Sequence, residues 1–302
     1  MMIRLNKIHG KPPDRVRRRY PVNVLPALIV AGLLMIAIDP ADAADSDATR
    51  RWLLGQLQES LAPPQDTDAV SSMLYGVVSD RTGLERPETR RVLDEAARLV
   101  TAREPATLDC SDAVNVHLVA GFLNSAGLAL DTGALATRVL DCLGSVGPYD
   151  KASALYSLCR FEPGVPRKRL ATALDAIEAL QQADGSFGSD YGLRHFYVSS
   201  HAVFALHACA GDALAIQLGQ DYLRSALPRL WQAGFIDALM QSLLMLKAME
   251  VEIPGEATYL SYIRSRVKAD GSICCFDRPG CASDRHATSE LLEFFREFPA
   301  RK

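Results

Sequence analysis

The sequence predicts an all-α protein built as an (α/α)6 toroid, six helix pairs around one central cavity. Three observations lead there. Strand signals are scarce: apolar residues recur at three- and four-residue steps almost throughout, punctuated by Gly, Pro and Asp. Six segments share one opening: Asp68-Ala69-Val70, Asp112-Ala113-Val114, Asp150-Lys151-Ala152, His201-Ala202-Val203, Asp237-Ala238-Leu239 and His286-Ala287-Thr288, spaced 44, 38, 51, 36 and 49 residues apart. Each opens a small-residue-rich apolar run such as "AVNVHLVAGFL" or "ALMQSLLMLKAM", and a charge-bearing amphipathic segment precedes each one.

The chain starts with an export signal. Arg15, Arg17, Arg18 and Arg19 precede an apolar run over residues 24–38, and Ala41-Asp42-Ala43 follows. A basic region, an apolar stretch and a small-x-small site read as a secretory signal peptide over residues 1–43, with an uncleaved signal anchor as the alternative. The run falls short of the roughly 20 residues that span a bilayer. This segment is the only membrane contact expected, and the rest goes to the periplasm or outside the cell. Residues 44–302 then form one domain. Its 26 basic and 33 acidic side chains give a net charge of −7, with no basic tract. That balance excludes nucleic acid as the main partner.

Amphipathic helices are expected near 49–61, 87–103, 131–143, 166–182, 213–229 and 256–268. A helix with one polar face belongs outside, and the six apolar runs belong inside. Pairs repeated every forty to fifty residues build a solenoid or a closed ring, and six pairs suit closure. All seven cysteines, Cys110, Cys142, Cys159, Cys209, Cys274, Cys275 and Cys281, lie in this domain. In an oxidising compartment some of them pair, and the odd count leaves at least one free or intermolecular. Cys274 or Cys275 with Cys281 closes a short loop, and no CxxC-type zinc pattern is present.

Two stretches carry a family resemblance. "ALQQADGSFG" followed by "SSHAVFALHA" resembles the repeat shared by squalene and terpene cyclases and by protein prenyltransferase β-subunits, which pairs Q-x-x-D-G-x-aromatic-G with a later S-x-T-A-x-A-L helix. A second copy, "YIRSRVKADGSICCF…SDRHATSELLEFF", lacks the Gln and the turn aromatic but keeps Ala269-Asp270-Gly271-Ser272. The resemblance implies the toroid across roughly residues 49–298. The turn itself reads as structural. Gly185 and Gly188 allow positive φ, Asp184 and Ser186 satisfy nearby N–H groups, Gln181 ties a helix end, and Phe187 packs between pairs.

In a toroid the inner-helix N-termini converge on one rim. The six openings therefore predict a ring of Asp68, Asp112, Asp150, His201, Asp237 and His286. Capping and the helix dipole account for aspartate in a first turn, but not for the two histidines. His201, Asp237 and His286, on successive inner helices, are candidate ligands for zinc or iron. The resemblance implies zinc held by a D-x-C pair and by a His opening the next inner helix. Asp237 and His286 match, while Leu239 stands at the Cys position, which puts thiol prenylation in doubt. "LDCSDAVNV" resembles the D-x-D-D-T-A segment of class II cyclases, with Ser111 where their acid stands.

Glu290, four residues after His286, shares its face and suits acid–base work or ion binding. Catalytic candidates are His201, Asp237, His286, Glu290 and Asp112; substrate-binding candidates are Asp68, Asp150, Tyr75 and Arg194, the last in a loop leading to His201. Stepping down each inner helix gives an expected wall of Ser71, Ser72, Tyr75, Asn115, Ser153, Ser157, Phe204, Met240, Gln241, Ser289, Glu290 and Glu293, with two aromatics. His117 and His207 fall off that face. The expectation is an exported enzyme, a lyase, isomerase or transferase acting on a small molecule in the cavity. The alternatives are a non-catalytic binding scaffold and a periplasmic polysaccharide lyase or glycosidase.

Overall fold

The computed structural model of the chain describes residues 40–63, 65–189 and 192–299. The apolar run 24–38 of the expected signal lies outside the described residues, and residues 41–43 fall in the first turn of a helix. Among the described residues there are twelve α-helices and no strand. No described helix is long and apolar enough to cross a membrane.

The helices alternate as the hydrophobic pattern requires. The amphipathic set is α1 (Pro40–Leu61), α3 (Pro87–Thr101), α5 (Gly133–Cys142), α7 (Arg167–Glu178), α9 (Ala213–Gln232) and α11 (Glu256–Arg264). The apolar set is α2 (Thr67–Ser79), α4 (Cys110–Ser125), α6 (Pro148–Phe161), α8 (Gly192–Ala208), α10 (Ile236–Ala248) and α12 (Arg285–Glu297). Each even-numbered helix packs on the next even one, and α12 packs on α2 and α1. The odd-numbered helices lie against these, α9 for example on α8 and α10.

One helix differs from expectation. His201 was expected to open its helix, but α8 starts at Gly192, nine residues earlier, so Arg194, His195, Tyr197 and Ser199 are helical rather than looped. No glycine or proline interrupts residues 193–201, and Phe196, Val198, Ser199 and Ser200 are buried, so the helical period runs on upstream.

The two glycine turns have the same bonding. In the first, the backbone N–H and hydroxyl of Ser186 donate to Asp184 Oδ1 at 3.0 and 2.6 Å. In the second, Ser272 does the same to Asp270 Oδ1 at 3.0 and 2.7 Å. Gly185 and Gly271 have φ of 85° and 84°. A Cβ on Gly185 would lie 2.0 Å from Leu218 O, and one on Gly271 would lie 2.2 Å from Thr49 N, so each turn needs both the conformation and the bare backbone. After each turn one backbone N–H is tied to the helix that follows: Phe187 N–H donates to Ser199 Oγ at 2.8 Å, and Ile273 N–H to Thr288 Oγ1 at 3.1 Å. Gln181 spans to the next amphipathic helix, its amide donating to Ala215 O at 2.7 Å.

The α2–α12 seam depends on another glycine. Gly76 N–H donates to Ser289 Oγ at 2.9 Å, and that hydroxyl donates to Ser72 O at 2.5 Å. A Cβ on Gly76 would sit 2.2 Å from Ser289 O, so only glycine permits this approach. Three disulfides add covalent ties: Cys110–Cys142, Cys159–Cys209 and Cys274–Cys281. Cys275 keeps its thiol.

Candidate functional site

The even-numbered helices enclose two connected spaces. An inner cavity of about 200 Å³ lies among all six of them, and an outer vestibule of about 950 Å³ opens beyond it. Asp68, Ser72, Tyr149, Asp150, His201 and His286 line both and so form the mouth between them. The caps of these helices are separate residues. Asp66, Asp109 and Asp284 accept the first-turn N–H bonds of α2, α4 and α12, which leaves Asp68 and His286 free of that task.

His286 is the centre of the polar cluster. Its Nδ1 pairs with Asp237 Oδ1 at 2.8 Å, and its Nε2 faces Glu290 Oε1 at 3.8 Å. The other Asp237 oxygen, Oδ2, accepts from the Tyr197 hydroxyl at 2.5 Å. Asp237 stands in the first turn of α10, held there by the N–H groups of Ile236 and Asp237 donating to Cys275 O. One ligand atom each from Asp237, His286 and Glu290 lie within 4.8 Å of one another. Glu290 is 4 % exposed, and its Oε2 has no hydrogen-bond partner.

Burial sets the protonation states. It pushes the Glu290 carboxyl well above the usual range, against the attraction of His286. Burial alone lowers the His286 pKa, but the charges of Asp237 and Glu290 and the Asp237 hydrogen bond carry it up to about 10. Burial also opposes ionisation of Asp237; His286 and the Tyr197 bond outweigh it and hold that pKa below the ordinary carboxylate value. Asp237 and His286 thus form an ion pair beside Glu290.

His201 has a different part from the one expected. Its Nδ1 lies 3.2 Å from Ser153 Oγ, its Nε2 3.4 Å from the Gln241 amide nitrogen, and its ring 4.3 Å from that of Tyr149. It is not among the residues with metal-ligand spacing; Glu290 takes the third place instead. The physical reason is register. Ser199 and Thr288 make equivalent ties to their turns, and counting from them sets Tyr197 against His286 and His201 against Glu290. His201 therefore stands at the register of Glu290 rather than of His286, while still bordering the mouth. Burial and the nearby His286 hold its pKa down to about 3, so it is a neutral hydrogen-bonding group rather than a proton shuttle at neutral pH.

Asp112 also departs from expectation. It lines neither space and accepts instead from Thr67 Oγ1 at 3.1 Å, tying α4 to α2. Helix α4 presents Ser111, Asn115, Leu118 and Phe122 to the cavity, and Asp112 is rotated about 100° from Ser111. Asp68, Asp150 and Tyr75 line the inner cavity, while Arg194 lines only the vestibule. Leu239, at the Cys position of the zinc pattern, is fully buried and reaches neither space. His117 is buried against Ser157 and Glu162, which removes Ser157 from the wall; Met240 and Ser289 are likewise turned away.

The wall is more aromatic than expected. Tyr149, Tyr156 and Phe122 join Tyr75 and Phe204, and Leu118, Leu244 and Met245 complete an apolar floor. Tyr156 stacks on Phe204 with centroids 4.6 Å apart. Below the mouth the aromatic and aliphatic side chains share the wall with Asn115, Gln241, Glu290 and Glu293. No protein-family model matches the chain, and a comparison with curated proteins finds no match.

Proposed function

We propose that this is an exported α/α-toroid enzyme of the cyclase and prenyltransferase repeat type, with a metal-dependent site at Asp237, His286 and Glu290. It acts as a lyase, isomerase or transferase on a small molecule held in the cavity. The observation that carries the reading is Glu290, which lines the cavity beside His286 and Asp237 at ligand spacing and leaves its buried Oε2 without a partner. A buried polar atom without a partner is costly unless a ligand satisfies it. Imidazole nitrogen and carboxylate oxygen suit zinc, and also iron.

Toroid closure is supported by the repeated turn and by the packing of α12 on α2, which brings the last pair against the first. Export is supported by the three disulfides together with the basic-apolar N-terminus.

The residues divide the work. Asp237 orients the His286 ring through Nδ1 and leaves Nε2 turned to Glu290. Tyr197 anchors the second Asp237 oxygen. Neutral His201 at the mouth and Gln241 in the inner cavity offer hydrogen bonds, and the aromatic and aliphatic side chains of the cavity pack on a bound substrate's body. A bound divalent cation supplies Lewis-acid polarisation of a substrate oxygen. Elemental analysis of the purified protein tests the reading. Stoichiometric zinc or iron, lost in His286→Ala, supports it; a metal-free protein whose properties ignore chelators removes it.

A non-catalytic binding scaffold is the second reading. It is favoured by one fact: Asp237 already has both oxygens satisfied by His286 and Tyr197. The same metal analysis separates the two.

A further inference from the structure

We propose that the cavity takes an arylalkylamine: an ammonium group at the mouth between Asp68 and Asp150, and an aromatic body below, against Tyr156 and Phe204. The proposal rests on the reading of this cavity as the substrate site, but not on the presence of a metal.

Charge is the first ground. Asp68 and Asp150 line both the cavity and the vestibule, and among the described residues neither side chain has a hydrogen bond or ion pair. His286, the nearby cation at the mouth, is already paired with Asp237. Asp68 and Asp150 face the mouth without such a partner. Arg194 reaches only the vestibule. The inner mouth therefore attracts a cation and repels a carboxylate or phosphate.

Glu290 is the second and independent ground. Its side chain is 4 % exposed and lines the same cavity one helical turn below His286, and its buried Oε2 has no partner. It offers a polar contact to whatever enters.

The shape and lining are the third. Asp150, Ser153 and Tyr156 descend one face of α6, so the carboxylate and the phenol ring are six residues and roughly 9 Å apart along the axis. Tyr149, packed on His201 at the mouth, and the Tyr156–Phe204 stack line the cavity, and aromatic rings in such a wall stabilise an ammonium group by cation–π contact and an aryl ring by stacking or edge contact. About 200 Å³ holds one aromatic ring and a short chain, since a cavity of about 150 Å³ accommodates benzene.

Calorimetry on the purified protein with 3-phenylpropylamine, 3-phenylpropanol and 3-phenylpropionate, with and without chelator, tests the proposal. The amine is expected to bind about tenfold or more tighter than the alcohol, and the carboxylate most weakly. The Asp68→Asn, Asp150→Asn double variant is expected to lose about tenfold in amine affinity and to keep alcohol binding, which also shows that it folds. If that variant does not fold, the wild-type ranking of amine over carboxylate stands as the test alone. Carboxylate binding equal to or tighter than amine binding, unchanged amine affinity in the folded variant, or no binding of any probe overturns it. Zinc content is measured on the same samples: zinc kept while amine affinity falls separates this claim from the metal site, and a zinc-free protein that still prefers the amine ends the metal reading only.

Discussion

Helices α8 and α12 follow the same turn and carry different chemistry. Both turns share the Asp–Gly–Ser bonding and the positive-φ glycine, and Ser199 and Thr288 tie back to them in the same way. Counted from those ties, α8 and α12 even end at the same register, Ala208 against Glu297. What differs is the face below. Tyr197, His201 and Phe204 stand where α12 has His286, Glu290 and Glu293. The repeated part is what backbone geometry demands, and the site lies in positions the backbone leaves open.

The sharpest way to break the pair is at the glycines. Gly185→Ala and Gly271→Ala each force a Cβ into backbone atoms at positive φ, and each is expected to cost roughly 3 kcal/mol or more in urea unfolding. Tolerance of one alone would show that the turns are not equivalent. The ties come next. Ser199→Ala and Thr288→Val each strand a buried N–H, for about 1–3 kcal/mol, and comparable losses are expected if the register is right.

A smaller effect separates the two faces by pH. The His201 pKa is lowered to about 3 by burial and by His286, against the pull of Asp237, while the unfolded chain titrates near 6.5. Below that value the unfolded state binds the extra proton, so stability is full above about pH 6.5 and is lost as pH falls toward 3. His201→Gln, which keeps a partner for Ser153 and Gln241 and sits beside Tyr149, should flatten this acid limb by about 2 kcal/mol or more. An unchanged profile would mean that His201 does not carry it.

Much of the scaffold was legible because helical periodicity is a local property. The alternation of polar-faced and apolar segments located all twelve helices, and the Asp–Gly–Ser turns carried their own bonding partners. The level of His201 was not legible, because the connection from Phe187 to Ser199 spans 12 residues and that from Ile273 to Thr288 spans 15. Aligning the two His–Ala pairs hides that difference and sets His201 against His286 rather than against Glu290. The aromatic floor was missed for a related reason. Tyr149, Tyr156 and Phe122 lie one residue before Asp150, six after it and ten after Asp112, outside the three-, four- and seven-residue steps taken from those openings. Rotation of each helix about its axis is set by packing, as when Ser157 turns to His117, and no local pattern reports it.

The claim that the third metal donor lies on α12 rather than α8 has a direct measurement. Zinc titration of the chelator-stripped protein is compared with Glu290→Gln and His201→Gln. The account predicts one equivalent of zinc in the wild type, affinity reduced about tenfold or more in Glu290→Gln, and little change in His201→Gln. Loss of zinc in His201→Gln with binding retained in Glu290→Gln would contradict it.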